Sequence, residues 1–322
     1  MRFFGNFGPG QRWSPIATAR IGILGLLPLL ALCACTTTIK PVGSMPIASS
    51  SFKADKDTEQ QHKLEMLKPT ELIAEGNAQL GSGDIQLARI YFLKALEKSP
   101  KSPEALVGLG NLWRKAGVPQ KARIAYEKAL EATPGFVPAL VAIGRLSREQ
   151  GQVKEAEDYL SRALARDPEN VEVLTELALT YELSNPGPLA DPLFQKVVQL
   201  RPDSAAGFNN LGYNYLIQER YPEAINAFQR ALSLNPENHI ALNNLASAYA
   251  LSGQAEKALE IFRKSQGKAA AWNNLGYIYM TQKKFDLAEK AFNRALQFSP
   301  RFYVRAQQNL EHLKSLQKSS DR

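Results

Sequence analysis

The chain of 322 residues has 39 basic and 31 acidic side chains, and its net charge of +8 is modest for this length. A nucleic-acid-binding protein would have a denser basic face with base-stacking aromatic residues, so we expect no nucleic-acid partner. Cys33 and Cys35 are the only two cysteines. Because Cys33 falls inside a predicted signal peptide, the mature chain is expected to have neither a disulfide nor a cysteine-based metal site.

Residues 1–34 have the pattern of a secretory signal: three arginines without an acidic residue, then an apolar run over residues 21–32, then small residues. The alternative is a membrane-spanning helix, which needs about 20 apolar residues, and this run stops well short of that length. The Leu-x-Ala-Cys sequence that ends at Cys35 resembles a bacterial lipobox. The resemblance implies that Cys35 is lipidated, for example with palmitate, and becomes the mature N-terminus with a net chain charge of about +5.

The residue after the lipidated cysteine bears on location. In Gram-negative lipoproteins an aspartate at this position often signals retention in the inner membrane, whereas this chain has Thr36. The resemblance therefore implies a lipid-anchored protein on the periplasmic face of the outer membrane. Several acyl chains would give stable anchoring, at about 0.8 kcal/mol per buried methylene.

Residues 35–56 are rich in threonine, serine, proline and glycine and lack helical periodicity. This composition predicts a flexible tether with a mean span of about 25 Å, which would let the rest of the protein stand away from the membrane. We predict a helical segment over residues 57–68 that leads into the next region.

A 34-residue period runs from residue 69 to residue 302. Most units have an apolar residue, then leucine or isoleucine, then glycine at unit position 8, as in Leu106, Leu109 and Gly110. Alanine recurs at positions 20 and 27, a large residue at position 24, and proline usually closes the unit. The residues at position 24 include Phe92, Tyr126, Leu160, Phe228 and Phe292.

Within each unit the apolar residues are three, four and seven positions apart, which predicts helices. Midway glycines such as Gly117 predict a turn, so two helices of about a dozen residues fold back on each other. The small residues at positions 8, 20 and 27 indicate where the helices cross closely, and the large residue at position 24 fills the space beside them. The closing proline stands where the second helix has ended.

These residues resemble the tetratricopeptide repeat, which implies an all-α superhelix of stacked helical hairpins. A generic helical bundle with chance periodicity does not account for seven phased units. Residues 303–317 are predicted to be a capping helix, so the solenoid covers residues 57–317, and residues 318–322 are predicted to be a disordered tail. The seven units are 69–102, 103–136, 137–170, 171–204, 205–238, 239–268 and 269–302.

Two units depart from the pattern. The fourth has the sequence Asn-Pro-Gly-Pro at residues 185–188 and a further proline at Pro192, which predicts a longer, stiffer elbow. The sixth is four residues short, with Gly267 directly after Ser-Gln. Because four residues are about one helical turn, we expect a shortened second helix that keeps roughly the same facing.

In tetratricopeptide repeats, positions 2, 5, 6, 9, 12 and 13 of the first helix face an inner groove, and the resemblance implies that this groove binds a partner. Asparagine offers donors and an acceptor to the backbone of an extended peptide, and tyrosine adds flat contact area. The candidate residues are Arg114, Lys115, Arg145 and Arg148 in units two and three, and Asn209, Asn210, Tyr213, Asn243, Asn244, Asn273, Asn274 and Tyr277 in units five to seven.

Each group also has a purely structural interpretation. Asparagine at positions 5 and 6 is common in these repeats whatever they bind. The basic cluster is also consistent with a solvated face that has acidic neighbours such as Glu149. Tyr215, Tyr249 and Tyr279, at position 11, are predicted to be core residues. The sequence leaves open whether the groove or the convex face binds the partner.

The sequence offers no support for catalysis. The three histidines are scattered, and we find no phosphate-binding loop, nucleophile elbow or zinc-protease motif. We therefore expect a non-catalytic protein that needs no cofactor and no metal. An alternative function is an adaptor that regulates a separate cell-envelope enzyme or assists another envelope assembly.

The last units resemble a particular kind of lipoprotein. Residues 241–246, 270–280, 291–296 and 308–310 look like the ending of the TadD family of tight-adherence (Flp) pilus machinery. The lipidated cysteine followed by repeats is also similar in plan to the PilF and PilW pilotins of type IV pili. The resemblance implies a scaffold that helps a secretin ring reach or assemble in the outer membrane.

Overall fold

The computed structural model describes residues 64–184, 187–298 and 303–320. The predicted signal peptide, Cys35 and the tether lie outside these described residues. Of the helix predicted over 57–68, residues 64–66 are helical. The described residues from Lys68 onward form one compact unit.

Within the described residues this unit contains fifteen helices and no strand. In chain order they are α1 (Pro69–Ser82), α2 (Ile85–Lys98), α3 (Pro103–Lys115), α4 (Pro119–Ala132), α5 (Val137–Glu149), α6 (Val153–Arg166), α7 (Val171–Ser184), α8 (Asp191–Leu200), α9 (Ala205–Ile217), α10 (Tyr221–Leu234), α11 (His239–Leu251), α12 (Ala255–Gln266), α13 (Lys268–Thr281), α14 (Phe285–Phe298) and α15 (Tyr303–Ser320).

The helices pair as the repeat predicts. Odd-numbered helices from α1 to α13 are the first helices of the seven units, and even-numbered helices are the second. Each second helix packs against its own first helix and against the next first helix, so the hairpins stack into a superhelix. The prediction of an all-α tetratricopeptide-repeat superhelix is confirmed. Helix α15 extends to Ser320, so three of the five residues predicted for the tail are helical.

Close helix crossing explains the small residue at position 8. A Cβ atom added at Gly110 would lie 2.2 Å from Cε1 of Tyr126, and one added at Gly276 would lie 2.7 Å from Cδ1 of Phe292. Tyr126 and Phe292 are fully buried. The ring at position 24 therefore occupies the space that a side chain at position 8 would need.

The mid-unit turn needs a left-handed backbone. Gly117 has φ of 76°, a conformation that glycine adopts without a Cβ penalty. In units five and seven, which lack a glycine at this position, Glu219 and Lys283 adopt φ of 61° and 58°. The stacking of the hairpin thus imposes the turn even where the local sequence does not favour it.

The two irregular units have short second helices. Helix α8 begins at Asp191 with Pro192 in its first turn and has only 10 residues. The contact between consecutive first helices is weakest between α7 and α9. Helix α12 has 12 residues, and Gly267 alone separates it from α13, where other units have four linking residues.

We expect Gly110→Ala to lower the free energy of unfolding by about 1–3 kcal/mol, because the added methyl overlaps the buried ring of Tyr126. The measurement is urea unfolding followed by circular dichroism. Gly81→Ala is the matched control: Gly81 is helical, a Cβ there would have no atom within 4 Å, and alanine favours the helix by up to about 1 kcal/mol. Equal stability of Gly110→Ala and the wild type would contradict the close crossing.

Candidate functional site

The basic residues of unit three are held by acids of unit four. Nε of Arg145 donates to Oε1 of Glu176 at 2.7 Å, and Nη2 of Arg148 donates to Oε2 of Glu176 at 2.8 Å. Arg145 also pairs with Glu172. Glu176 is buried, so these ion pairs link α5 to α7 rather than presenting free positive charge in the groove.

The pKa of Glu176 reports this environment. Burial alone would raise the pKa, but the charges of Arg145 and Arg148 and the hydrogen bonds from them outweigh burial, so the pKa lies below its ordinary value. Glu176 therefore stabilises the fold in its ionised form.

The basic residues of unit two also contact neighbouring units. Nη1 of Arg114 lies 3.2 Å from Oε1 of Glu149, the acidic neighbour that the sequence indicated. Nζ of Lys115 donates to the backbone carbonyl oxygen of Leu80 at the end of α1. All four basic candidates thus have partners within the protein, which supports a stacking role for them and leaves their binding role a prediction.

The asparagines pair mostly with other repeats. Nδ2 of Asn244 donates to Oδ1 of Asn209 at 3.0 Å, which joins α11 to α9. Asn244 is only 1% exposed, and its own Oδ1 atom has no hydrogen-bond partner among the described residues. Nδ2 of Asn309 in α15 donates to Oδ1 of Asn273 at 2.9 Å, which joins the capping helix to α13.

The shortened sixth unit places one side chain between two of the asparagines. Nε2 of Gln266, the last residue of α12, donates to Oδ1 of Asn243. Oε1 of Gln266 accepts from Nδ2 of Asn274 at 3.1 Å. Gln266 therefore bridges α11 and α13, and its hydrogen bonds with these two asparagines connect units six and seven.

One stretch of the first-helix face keeps unused hydrogen-bonding capacity. Asn210 is partly exposed, and its side-chain amide has no hydrogen-bond partner among the described residues. Tyr213 follows three residues later on the same face of α9. Burial, with a smaller contribution from the charge of Glu182, raises the pKa of Tyr213 to about 12.

Glu182 of α7 adjoins this stretch. Its Oε1 accepts a hydrogen bond from Nδ2 of Asn214 at 3.2 Å. Burial raises the pKa of Glu182 to about 7, against the opposing effect of that hydrogen bond. We call Glu182, Asn210 and Tyr213 the α7–α9 groove segment. It offers a carboxyl group, an amide and a phenol to a ligand.

Tyr213 also packs against the core cluster that holds Phe194 and Phe228, and other tyrosines lie in or against the core as well. Tyr277 packs against the cluster that holds Met280 and Leu310, and burial raises its pKa. Tyr215 is buried, and its hydroxyl accepts from Nε2 of Gln195 at 3.2 Å, as expected for a core residue.

Sequence reasoning did not identify Glu176, Gln266 or Glu182. Glu176 bonds to Arg145, 31 positions away in the chain, and Glu182 bonds to Asn214, 32 positions away. A search for complementary polar side chains about one repeat apart on first helices would have found both pairs. The described residues include no cluster of three or more histidine, cysteine, aspartate or glutamate side chains placed to hold a metal. No helix among them is long and apolar enough to cross a membrane.

Sequence comparison agrees with the fold. Three profiles described as tetratricopeptide repeat match residues 269–302, residues 73–135 with 209–270, and residues 114–179. Because these matches together cover most of the chain, the protein belongs to the tetratricopeptide-repeat family. Such proteins bind protein or peptide partners and act as interaction scaffolds. A search of the curated proteins found no significant match.

Solved structures share the architecture. A tetratricopeptide repeat protein from Parabacteroides merdae ATCC 43184 aligns with 76% of this chain and 98% of its own, at 22% identity and a TM-score of 0.54. The structure of Pseudomonas aeruginosa pilF aligns with 67% of this chain and 96% of its own, at 19% identity and a TM-score of 0.56. The Cut9-Hcn1 complex of the APC/C aligns with 74% of this chain and 48% of its own, at 19% identity and a TM-score of 0.57. At these identities the similarity concerns the fold.

We expect Glu176→Gln to lower the free energy of unfolding by about 1.5–3 kcal/mol at neutral pH, because it leaves Arg145 and Arg148 without their shared charge. The folded pKa of Glu176 is lowered, so its stabilisation is complete above the ordinary carboxyl pKa and is lost as the pH falls through the folded value. The stability difference between wild type and variant should therefore vanish in acid.

Glu149→Gln is the control for the loss of a charge at a more exposed pair. It should cost at most about 1 kcal/mol, as surface ion pairs do. Both variants are measured by urea unfolding as a function of pH. Equal effects at the two sites would show that burial of Glu176 does not strengthen its ion pairs.

Proposed function

We propose that this protein is a non-catalytic, lipid-anchored scaffold on the periplasmic face of the outer membrane, which binds a segment of a secretin or another component during pilus assembly or secretion. The observation that carries the scaffold role is the tetratricopeptide-repeat superhelix with an unused polar stretch on its first helices. The lipobox at Cys35 and the resemblance to the TadD family support the location and the pilus connection.

The α7–α9 groove segment is where we expect the partner to bind. Asn210 can donate to and accept from a peptide backbone because the structure does not use its amide within the described residues. Tyr213 adds a flat surface, and its hydroxyl can hydrogen-bond to the partner. A cationic group on the partner would favour the carboxylate form of Glu182, whose pKa of about 7 leaves it balanced between two states at neutral pH.

Two of the other candidate asparagines are less accessible to a partner. Asn244 and Asn273 are nearly fully buried; Asn244 already bonds to unit five and Asn273 to the capping helix. Alanine at Asn244 is therefore expected to weaken repeat stacking, which would confuse loss of stability with loss of binding. A binding test is cleaner when it is confined to the α7–α9 groove segment.

The lipid anchor gives the first prediction of this proposal. Cells that express the full chain should incorporate labelled palmitate into the protein, and Cys35→Ser should abolish both the label and recovery in the membrane fraction. Cys33→Ser is the matched control and should retain both, because residue 33 lies in the variable position of the lipobox. Equal labelling of Cys35→Ser and the wild type would contradict lipidation at Cys35.

The partner gives the second prediction. Tagged wild type should retain secretin multimers from solubilised outer membrane, and Asn210→Ala combined with Tyr213→Phe should weaken that binding about tenfold, since it removes two hydrogen-bonding groups. Asn226→Ala, an exposed change on the second helix of the same unit, should leave binding unchanged.

The outcomes separate the parts of the proposal. Failure of the wild type to retain secretin would exclude a secretin as the partner. Retention at full affinity by the double variant would exclude the α7–α9 groove segment and leave the scaffold role intact. Circular dichroism and thermal unfolding check that each variant is folded.

A further inference from the structure

A second surface of the protein lies on the second helices of units one and two. A groove of about 400 Å³ opens between α2 and α4, with α3 at its base. Leu96 and Pro100 line one side, and Ile124 lines the other. Leu109 and Trp113 of α3, both partly buried, contribute to its lining. We call this the α2–α4 groove.

Helices α2 and α4, between which the α2–α4 groove opens, carry exposed apolar residues. Ile90 and Ile124, both at unit position 22, are 45% and 53% exposed, and Leu93 is 50% exposed. At position 22 the later units have Asp158, Pro192, Asn226, Glu260 and Lys290. The repeat itself therefore does not require an apolar residue at this position. Ile124 extends the apolar lining of the groove to the protein surface, and exposed apolar area of this kind marks interaction surfaces.

The charged side chains that line the groove are both positive. Lys121 and Lys128 of α4 are exposed and line the groove. Nζ of Lys121 lies 4.5 Å from the ring centroid of Trp113, and neither lysine has a carboxylate partner in the part of the chain that the structure describes. Nearby cations differ, because Lys94 pairs with Glu97 and Arg123 with Glu155.

We propose that the α2–α4 groove docks an amphipathic, acidic segment of a partner protein. Apolar side chains of that segment would pack between Leu96 and Ile124, and its aspartate or glutamate residues would pair with Lys121 and Lys128. A groove with an interior lining favours a segment that inserts side chains, whereas a membrane surface would be met by protruding residues alone. The proposal does not depend on the proposed function, because the α7–α9 groove segment lies on other helices.

The test uses two fluorescein-labelled amphipathic helical peptides of about 14 residues, with leucine at the i, i+3, i+4 and i+7 positions. One has glutamate at the remaining positions and the other lysine. We expect the wild type, as the full chain in detergent, to bind the glutamate peptide at least about tenfold more tightly than the lysine peptide in fluorescence anisotropy.

Two variants at the groove should change this binding in different ways. Ile124→Asp should weaken binding of the glutamate peptide at least about tenfold, because the new carboxylate lies in the apolar wall and repels the carboxylates of the peptide. Lys121→Glu combined with Lys128→Glu should reverse the preference in favour of the lysine peptide. Lys290→Glu, at position 22 of the last unit, is the control for a charge change and should behave as the wild type.

These positions are all exposed, so the variants are expected to fold, and circular dichroism verifies this. Absence of binding, equal binding of the two peptides, or unchanged binding by Ile124→Asp would overturn the proposal. Vesicles of phosphatidylcholine with phosphatidylglycerol provide a further arm. If these vesicles bind, the groove variants abolish that binding and neither peptide binds, then the surface contacts lipid and the proposal is wrong.

Discussion

The close crossing of two helices within each unit is the constraint on which the rest of the structure depends. Gly110 must lack a side chain because the ring of Tyr126 fills that space, and the same relation holds between Gly276 and Phe292. Each such crossing buries a large side chain at position 24, but one hairpin still leaves apolar surface uncovered. Neighbouring hairpins cover that surface, and the superhelix follows.

Stacking also determines what remains available for binding. Polar side chains on the first helices look like a ligand-binding array in the sequence, yet stacking brings the same side chains of consecutive units within hydrogen-bonding distance. Glu176 forms ion pairs with two arginines, and Gln266 forms hydrogen bonds with two asparagines. A buried polar group without a partner would be costly, so these groups bond to each other. Asn210 is the candidate asparagine that this rule leaves unused within the described residues.

The features of the fold that recur from one repeat unit to the next can be predicted from the sequence. Unit bounds, the small residue at Gly110, the glycine turn at Gly117 and the position of Pro192 in the first turn of a helix all follow from local spacing and backbone chemistry. The contacts of Glu176 and Gln266 do not, because they depend on the rise and rotation between neighbouring hairpins, which no single unit encodes. The same holds for Glu219, whose left-handed backbone is imposed by packing rather than by its own preference.

The two candidate surfaces differ in the physics of recognition. The α7–α9 groove segment offers hydrogen bonds and a carboxyl group that titrates near neutral pH, so its affinity would respond to pH and little to the apolar area of a ligand. The α2–α4 groove offers apolar area beside two exposed lysines, so its affinity would grow with buried area and weaken with salt, because exposed charges are screened over about 10 Å. The α2–α4 groove lies in units one and two, and the α7–α9 groove segment lies in units four and five. Because the two surfaces lie on different helices and recognise different chemistry, a scaffold with both can hold two partners without competition between them. The stacked hairpins between them would fix the spacing of the two partners, which is the property that distinguishes a scaffold from a simple binding domain.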